Sequence, residues 1–232
     1  IFIPEKDCEW GIFDYSQQEP RLVVHYANKN GFPGAGKFLD SYQKDNNTDF
    51  HTMVSEIADI PRKQAKTINL GLFYGMGKGK LMSELGVNIE EATELLQSYH
   101  ERVPFVKKLT YDTQGIASKN GFLTTIQGRR CRFDLWESEL EWGKKALPEE
   151  EAEREYGKKT MKRAWTYKAL NKLIQGSAAD QIKTAMVHLH REGYVSHIQV
   201  HDELDFSVAS DADKAKIKDI MENCVELSVP SK

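Results

Sequence analysis

The sequence predicts an α+β fold in which both ends of the chain contribute to a small sheet and a helical body lies between them. Strand-like segments stand near the two ends, at residues 10–14 and 197–208. Between them, apolar residues recur at helical spacing, most clearly over residues 62–75 and 166–192. The length of 232 residues is somewhat above the usual single-domain size, so we expect one large domain or two that are intimately joined.

The first third of the chain alternates between apolar segments and loops. Residues 10–14 (WGIFD) predict a short buried strand that ends in an acidic tip, and residues 21–27 are apolar enough for a packed helix or strand. Residues 28–49 are rich in Gly, Asn, Lys and Asp, which indicates connecting loops around one short helix. Pro61 suits the first turn of the helix predicted over residues 62–75.

The middle of the chain contains a second helical pattern and a hairpin. Asn88 can cap a helix that carries acidic residues in its first turn. We expect this helix to run past Pro104, which should kink it, and to stop at the Asn-Gly pair at residues 120–121. Residues 122–126 and 131–133 then predict a two-stranded element.

The last third combines an acidic segment, a helix and a hairpin. Residues 137–155 hold eight glutamates and predict an exposed insertion. Residues 166–192 show apolar positions at the spacing of one long helix. Residues 197–208 alternate as a strand, a turn and a second strand.

Composition limits the functional classes. A net charge of −3 taken alone argues against nucleic-acid binding, but residues 61–81 hold five Lys or Arg and no acid, so the charges are segregated. No apolar run approaches the roughly 20 residues that span a bilayer, so we expect no membrane partner. The three cysteines share no CxxC spacing, which argues against a disulfide framework or a zinc ribbon and favours a reducing, cytosolic setting.

Asp14 is the first candidate for chemistry. A carboxylate at the end of a buried strand needs a metal ion or another cation beside it. An ordinary strand-to-turn aspartate is the alternative for this residue taken alone.

A stripe of side chains on the helix 62–75 is the second candidate. Arg62, Lys66, Leu70 and Tyr74 are spaced four residues apart, which places them along roughly 18 Å of one helix face. A nucleoside triphosphate laid along this stripe would meet two cations at its phosphates, then an apolar residue and an aromatic ring at its sugar and base. An amphipathic surface helix with a solvated basic face is the alternative.

The segment VHDEL at residues 200–204 is the third candidate, because a hairpin there would carry Asp202 and Glu203 to its tip. A structural hairpin turn is the alternative. If Asp14 and Asp202 lie on neighbouring strands, they can bridge two Mg²⁺ ions about 3.5–4 Å apart. One ion would activate an attacking hydroxyl and the other would stabilise a leaving phosphate, as phosphoryl transfer requires.

These segments resemble a known family in order and spacing. DYSQQEPR (14–21), RKQAKTINLGLFYG (62–75) and VHDEL (200–204) are similar to motifs A, B and C of family A (DNA polymerase I type) DNA polymerases. NKLIQGSAAD (171–180) is similar to the palm helix between motifs B and C. The resemblance covers nearly the whole chain. The short interval from His51 to Arg62 and the insertion at 134–163 look more like the phage branch.

The resemblance implies a polymerase palm, made of a small antiparallel sheet backed by helices, with a mostly helical fingers subdomain. Residues 1–21 and 164–232 would form the palm, residues 22–133 the fingers, and residues 134–163 an acidic insertion. Because the sequence starts at the palm strand and ends before the family's usual last strand, the resemblance also suggests a fragment without thumb or exonuclease domain.

The resemblance assigns roles to individual residues. Asp14 and Asp202, with the Tyr15 carbonyl, would hold two Mg²⁺ ions, and Glu203 would sit beside the primer terminus. Arg62, Lys66 and His51 would contact the incoming triphosphate, and Lys66 would also act as general acid on the pyrophosphate. Leu70 would contact the sugar, where the family usually has Phe or Tyr.

The resemblance also assigns residues around the base pair and the DNA. Tyr74 would close over the templating position and bond Glu19, and Glu19 would be a steric gate against a ribose 2′-hydroxyl. The residues that would touch phosphate, primer or minor groove are Gln17, Arg21, Asn171, Gln175 and His201.

The implied function is template-directed transfer of dNMP from dNTP to a primer 3′-OH, with primer-template DNA and dNTPs as partners. The partners could include a processivity factor, and the setting would be a bacterial cytoplasm if the gene belongs to a phage. Two other functions stay open: a different two-metal enzyme, such as a nuclease or a polymerase that prefers RNA or ribonucleotides, and a passive nucleotide- or DNA-binding module. Asn171 and Gln175 could also be polar residues of a helix surface, and His51 a helix cap.

Overall fold

A computed structural model of the chain describes residues 2–141 and 143–232. Ile1 and Trp142, which fall in the predicted segments 1–21 and 134–163, lie outside this range. The helices are α1 (Gln18–Lys29), α2 (Ala35–Lys44), α3 (Phe50–Ala58), α4 (Arg62–Phe73), α5 (Lys78–Leu85), α6 (Ile89–Arg102), α7 (Pro104–Asn120), α8 (Glu149–Tyr156), α9 (Ala169–Arg191) and α10 (Asp211–Asn223). The strands are β1 (Glu9–Asp14), β2 (Phe122–Thr124), β3 (Arg130–Arg132), β4 (Leu135–Ser138), β5 (Leu147–Pro148), β6 (Met161–Arg163), β7 (Ile198–Val200) and β8 (Glu203–Val208).

The predicted sheet between the two ends of the chain is confirmed. It is antiparallel with the order β1-β8-β7, and β8 lies in its centre. One face packs on α9 and α10 through a cluster that includes Leu204, Phe206 and Ile217. The prediction that β1 is buried is wrong for its other face, where Ile12 is 61% exposed. As an edge strand, β1 presents only alternate side chains to the core.

The predicted helical body surrounds a second core. Its centre is a group of aromatic rings: Phe38 lies 5.1 Å from Phe50 and 5.0 Å from Phe105, and Phe50 lies 5.9 Å from Phe73, measured between ring centroids. All four side chains are almost completely buried. Because these rings come from four different helices, their packing fixes α2, α3, α4 and α7 against one another.

The long helix expected around Pro104 is two helices. The Asn88 cap is confirmed, with a reciprocal capping box to Glu91. The chain then leaves helical geometry at Val103 and restarts with Pro104 as the first residue of α7. A proline disfavours helical geometry at the residue before it and has no N–H to donate, so it starts a helix here rather than kinking one.

The remaining elements, from β2 to α10, agree with the sequence-based predictions in part. Residues 166–168 form a short 3₁₀ turn before α9, and the predicted pair of strands appears as β2 and β3. The acidic segment is more than an exposed loop, since α8 lies beside the three-stranded sheet β5-β4-β6 with Ala152 fully buried. Helices α3, α5 and α10 were not predicted from the sequence. Among residues 2–141 and 143–232, none of the helices combines the length and apolar character that a membrane crossing needs.

Candidate active site

A cleft of about 750 Å³ opens where the sheet of β1, β8 and β7 meets α1, α9 and the end of α4. Its walls bring together parts of all the motifs identified in the sequence. The lining residues are Asp14, Tyr15, Gln17, Gln18, Glu19, Pro20, Tyr74, Gln175, Ala178, Ala179, Ile182, Gln199, His201 and Asp202.

Three acidic residues occupy neighbouring backbone positions at one end of the sheet. Asp14, the last residue of β1, pairs with Glu203, the first residue of β8. Asp202 lies in the tight turn between β7 and β8, and the Tyr15 N–H donates to its backbone carbonyl at 3.3 Å. His201, also in this turn, has a left-handed φ of 55°. Backbone pairing therefore places the acidic ends of motif A and motif C side by side.

The charges in this group repel one another. The pKa of Asp14 is raised, first by burial and then by the negative charges of Asp202 and Glu203. Like charges held close together repel one another unless a cation compensates them. In the described part of the chain, no three His, Cys, Asp or Glu side chains are grouped as a complete metal cage. Mg²⁺ commonly uses only one or two carboxylates together with water and substrate phosphates, so this hard oxygen donor set fits it.

The predicted bond between Tyr74 and Glu19 is confirmed. The Tyr74 hydroxyl donates to Glu19 Oε2 at 2.7 Å across the cleft, from the end of α4 to the first turn of α1. Burial, followed by the hydrogen bond to Glu19, raises the pKa of Tyr74 to about 12, so the phenol stays protonated at neutral pH. The pKa of Glu19 is raised by burial, an effect that the bond from Tyr74 opposes. The pair therefore joins the end of α4 to the first turn of α1.

The turn after Tyr74 is tightly packed. Gly75 has a φ of +67°, and a Cβ at this position would lie 2.7 Å from the Tyr167 carbonyl oxygen. Gly31 has a similar φ of +65° but open space around its Cα. The two glycines thus share a backbone conformation and differ only in their surroundings.

We expect Gly75→Ala to be markedly more destabilising than Gly31→Ala. The left-handed conformation alone should cost about 1 kcal/mol in either variant, and the clash should add roughly 1–3 kcal/mol at Gly75. Urea unfolding of both variants beside the parent protein measures this difference. Equal free energies of unfolding for the two variants would show that the backbone at Gly75 shifts without cost.

The stripe predicted on α4 is confirmed as the outer face of this helix. Arg62, Lys66 and Tyr74 are exposed and Leu70 is half-buried, whereas residues on the opposite face such as Ile68 are buried. The four side chains lead away from the cleft, with Tyr74 at its edge and the cations at the far end of the helix.

Arg62 is already paired with an acid. Its Nη2 lies 2.8 Å from Asp49 Oδ2, and its Nε also reaches Thr52 Oγ1 at 3.1 Å. Burial opposes ionisation of Asp49, but hydrogen bonds from Arg62 and from Thr52 hold its pKa at about 2. Asp49 was not predicted as part of the site. Its N-cap position before α3 was the available signal, but only the folded chain brings it to Arg62.

His51 joins this cationic end from α3. It is buried, and its Nδ1 lies 2.9 Å from Asn69 Nδ2. Burial lowers the pKa of His51, the charge of Asp49 opposes this, and those of Arg62 and Lys66 add to it. His51 thus lies within reach of the charges of both cations, and the shared contact with a triphosphate stays a prediction.

Arg21, which the resemblance places at the DNA, is an interior residue with only 2% of its surface exposed, so its role at DNA stays a prediction. Its guanidinium donates to the Ser16 carbonyl at 2.8 Å, to Asn46 Oδ1 at 2.6 Å and carbonyl at 2.7 Å, and to the Pro230 carbonyl. It also lies over the Tyr42 ring, 4.6 Å from the centroid. Its donors are occupied by the chain itself, so it holds three segments together.

Gln17 also turns inward with its side chain. Its amide donates to the Thr48 carbonyl at 3.2 Å and its Oε1 accepts from the Phe50 N–H at 2.7 Å, so it caps the start of α3. Gln175 is exposed on α9 and borders the cleft, and Asn171 lies half-buried one helical turn before it. Gln18, which was not predicted, bonds Gln181 at 3.1 Å and ties α1 to α9. No local sequence pattern marked Gln18.

Comparisons with known proteins agree with this architecture. The profile of a family described as DNA polymerase family A matches residues 1–232. A DNA-directed DNA polymerase of Pseudomonas phage M6 is 36% identical over 273 residues, which cover 100% of this chain and 38% of that protein. DNA polymerase I of Bacillus subtilis (strain 168) is 31% identical over 248 residues, covering 100% of this chain and 26% of that protein.

Among solved structures, the POL domain of Pol1 from M. smegmatis, in complex with DNA primer-template and dNTP, superposes with a TM-score of 0.74. It is 28% identical in sequence, and the match covers 99% of this chain and 39% of that one. The chain thus spans less than two fifths of the length of the relatives it matches. By the match of the whole sequence and by its α+β fold, the chain belongs to DNA polymerase family A.

Proposed function

We propose that this chain is the palm and fingers part of a template-directed DNA polymerase, which transfers dNMP from a dNTP to a primer 3′-OH and releases pyrophosphate. The observation that carries this proposal is one cleft bordered by Asp14 and Asp202 on one side and by Tyr74, the end of the α4 stripe, on the other. The related POL domain was solved with primer-template DNA and dNTP, which supports the same partners here.

The fold supports the proposed division into subdomains. Residues 1–21 and 164–232 would form the palm around β1, β7, β8 and α9, and residues 22–133 the fingers around the aromatic core. Residues 134–163 would be an acidic insertion with its own small sheet. A processivity factor and a location in the cytoplasm of a bacterial host are further parts of the proposal.

Asp14 and Asp202 would hold two Mg²⁺ ions, with the Tyr15 carbonyl as a further ligand. The ions would supply Lewis-acid activation of the primer hydroxyl and stabilisation of the leaving phosphate. Support for this assignment comes from the backbone pairing of Asp14 with Glu203 beside Asp202, whose negative charges add to burial in raising the pKa of Asp14. Glu203, on the same end of β8, would lie beside the primer terminus.

The α4 stripe would bind the incoming nucleotide. Arg62 and Lys66 would contact its phosphates, and Lys66, which is exposed, would donate a proton to the pyrophosphate as it leaves. Leu70 would meet the sugar. Glu19, fixed by Tyr74, would exclude a ribose 2′-hydroxyl by occupying the space beside the sugar.

Residues on the palm side of the cleft would meet the DNA. His201 and Gln175 border the cleft and would contact the primer or the minor groove, with Asn171 one turn further along α9. Gln17 would act on substrate only through its backbone, because its side chain caps α3. Arg21 would support the site from inside.

Metal removal tests the proposal on the full-length protein. With a primed DNA template, dNTPs and MgCl₂, we expect primer extension that EDTA stops and excess Mg²⁺ restores, because both carboxylates need the cation to act. Parallel reactions with rNTPs or an RNA template measure whether ribonucleotides or RNA are preferred. Shortening of the primer without extension would indicate a nuclease, and binding without either reaction would indicate a passive module.

A further inference from the structure

A chain of buried polar side chains crosses the fingers behind the cationic end of α4. It links His51 on α3, Asn69 on α4 and Tyr99 on α6, whose surfaces are 6%, 0% and 0% exposed. The Tyr99 hydroxyl donates to Asn69 Oδ1 at 2.6 Å, and Asn69 Nδ2 lies 2.9 Å from His51 Nδ1. Burying a polar group raises the free energy of the folded state unless the group is hydrogen-bonded, and here each of the three side chains is bonded to the next.

The hydrogen bonds fix the direction of the whole chain. Tyr99 is fully buried, and in the described part of the protein its hydroxyl hydrogen finds its acceptor in Asn69 Oδ1. If the Asn69 amide were reversed, that hydrogen would be buried with no acceptor, at a cost that the observed orientation avoids. Asn69 Nδ2 therefore faces the histidine, and an amide nitrogen can only donate.

A donor facing Nδ1 determines where His51 carries its proton. Nδ1 must be the lone-pair acceptor, so the neutral ring has its hydrogen on Nε2. Burial favours the neutral ring by lowering the pKa of His51. Within residues 2–141 and 143–232, Nε2 of His51 makes no hydrogen bond. It is also not one of the fully buried polar atoms that lack a partner there, so it is accessible to solvent.

The surroundings of His51 suit an anion. The positive charges of Arg62 and Lys66 act on the ring, together with the opposing negative charge of Asp49, the ion-pair partner of Arg62. A neutral Nε2–H beside two cations is a directed donor, whereas the other tautomer would present a lone pair to the same anion.

We propose that Asn69 and Tyr99 are positioning residues that lock His51 as the Nε2–H tautomer, so that its N–H donates to the triphosphate of the incoming nucleotide beside Arg62 and Lys66. The triphosphate role rests on the proposed function. The tautomer itself is a property of the free protein and is measurable without nucleotide or DNA.

The first test reads the tautomer directly. In [¹⁵N]histidine-labelled full-length protein, with the signal assigned by its loss in His51→Gln, the ring shifts should show protonated Nε2 and unprotonated Nδ1. Tyr99→Phe should shift the population toward a mixture, and Asn69→Asp should move the proton to Nδ1, because a carboxylate accepts from it. An Nδ1–H ring in the parent protein, or no change in either variant, would overturn the relay.

The second test separates positioning from simple packing. Tyr99→Phe should raise the KM for dNTP about 2-fold, because a roughly equal mixture leaves half of the rings as the Nε2–H donor, and leave kcat nearly unchanged. In a His51→Gln background the same substitution should have almost no further effect. Tyr111→Phe, at a tyrosine that is 62% exposed on α7, is the matched control.

The outcomes of the two tests are distinguishable. An equal KM increase in the His51→Gln background would show that Tyr99 only packs three helices together, and an unchanged KM in Tyr99→Phe would remove the triphosphate role. A parent protein that extends no primer would overturn the proposed function and the triphosphate role with it, whereas the tautomer measurement would still decide whether the relay exists.

Discussion

Asp202→Asn should reduce primer extension by the full-length protein by about 10³-fold or more, because stabilisation of transition-state charge by a bound metal supplies several kcal/mol. The substitution keeps the size of the side chain and removes its negative charge. Single-turnover extension of a labelled primer at saturating Mg²⁺ measures the loss. Glu9→Gln is the matched control, since Glu9 is an exposed carboxylate on the same sheet, at the opposite end of β1 from Asp14.

Stability provides a second measurement on the same variant. In the absence of metal, Asp202→Asn should melt at the same temperature as the parent protein or higher, because it removes one of the two negative charges that, after burial, raise the pKa of Asp14. Loss of activity combined with unfolding would mean that Asp202 is structural. Undiminished extension would contradict the assignment of Asp202 as a metal ligand.

The sequence predicted the α4 stripe because its information is local. Arg62, Lys66 and Tyr74 are separated by whole multiples of four residues, and the helical period alone places them on one face. The helix cap at Asn88 was predicted correctly for the same reason, because a cap depends on residues next to one another in the sequence. The error at Pro104 was also local, since a proline can either kink a helix or begin a new one, and the choice depends on how α6 and α7 pack.

The meeting of Asp14 with Asp202 needed more than local patterns. The two residues are far apart in sequence, and only the pairing of β1 with β8 brings them together. Family resemblance supplied that information in the sequence analysis. The ion pair of Arg62 with Asp49 was not predicted, because Asp49 was treated as part of a loop. The buried hydrogen bonds that link His51, Asn69 and Tyr99 were not predicted either, because they join residues 18 and 30 positions apart.

The interior position of Arg21 could not be predicted from local sequence patterns either, because it depends on contacts between distant parts of the chain. Its partners Asn46 and Pro230 lie 25 and 209 residues away. An arginine near the start of a helix is ordinarily expected on the surface, since arginine is rarely buried without a partner. Here the partners are carbonyl oxygens and a ring face, which carry no charge that could be recognised in the sequence.

Arg21→Ala should lower the free energy of unfolding by roughly 3–5 kcal/mol, because it leaves half-buried carbonyl groups of three segments without their donor. One of these is the Ser16 carbonyl, two residues after Asp14, so activity should fall as well. The free energy of unfolding of Arg21→Lys should lie between those of Arg21→Ala and the parent protein, since one ammonium group cannot reach all the acceptors. Urea unfolding measures these differences, with Arg191→Ala, an exposed arginine at the end of α9, as the control.

DNA binding separates the two roles that Arg21 could have. If Arg21 supports the fold, the Arg21→Lys protein should keep the salt dependence of primer-template binding of the parent. A phosphate contact would instead show as normal stability of Arg21→Ala together with weaker DNA binding and a slope of log K against log salt that is smaller by about one. The first result would place Arg21 among the residues that hold Asp14 in position, and the second would return it to the DNA interface that its motif suggested.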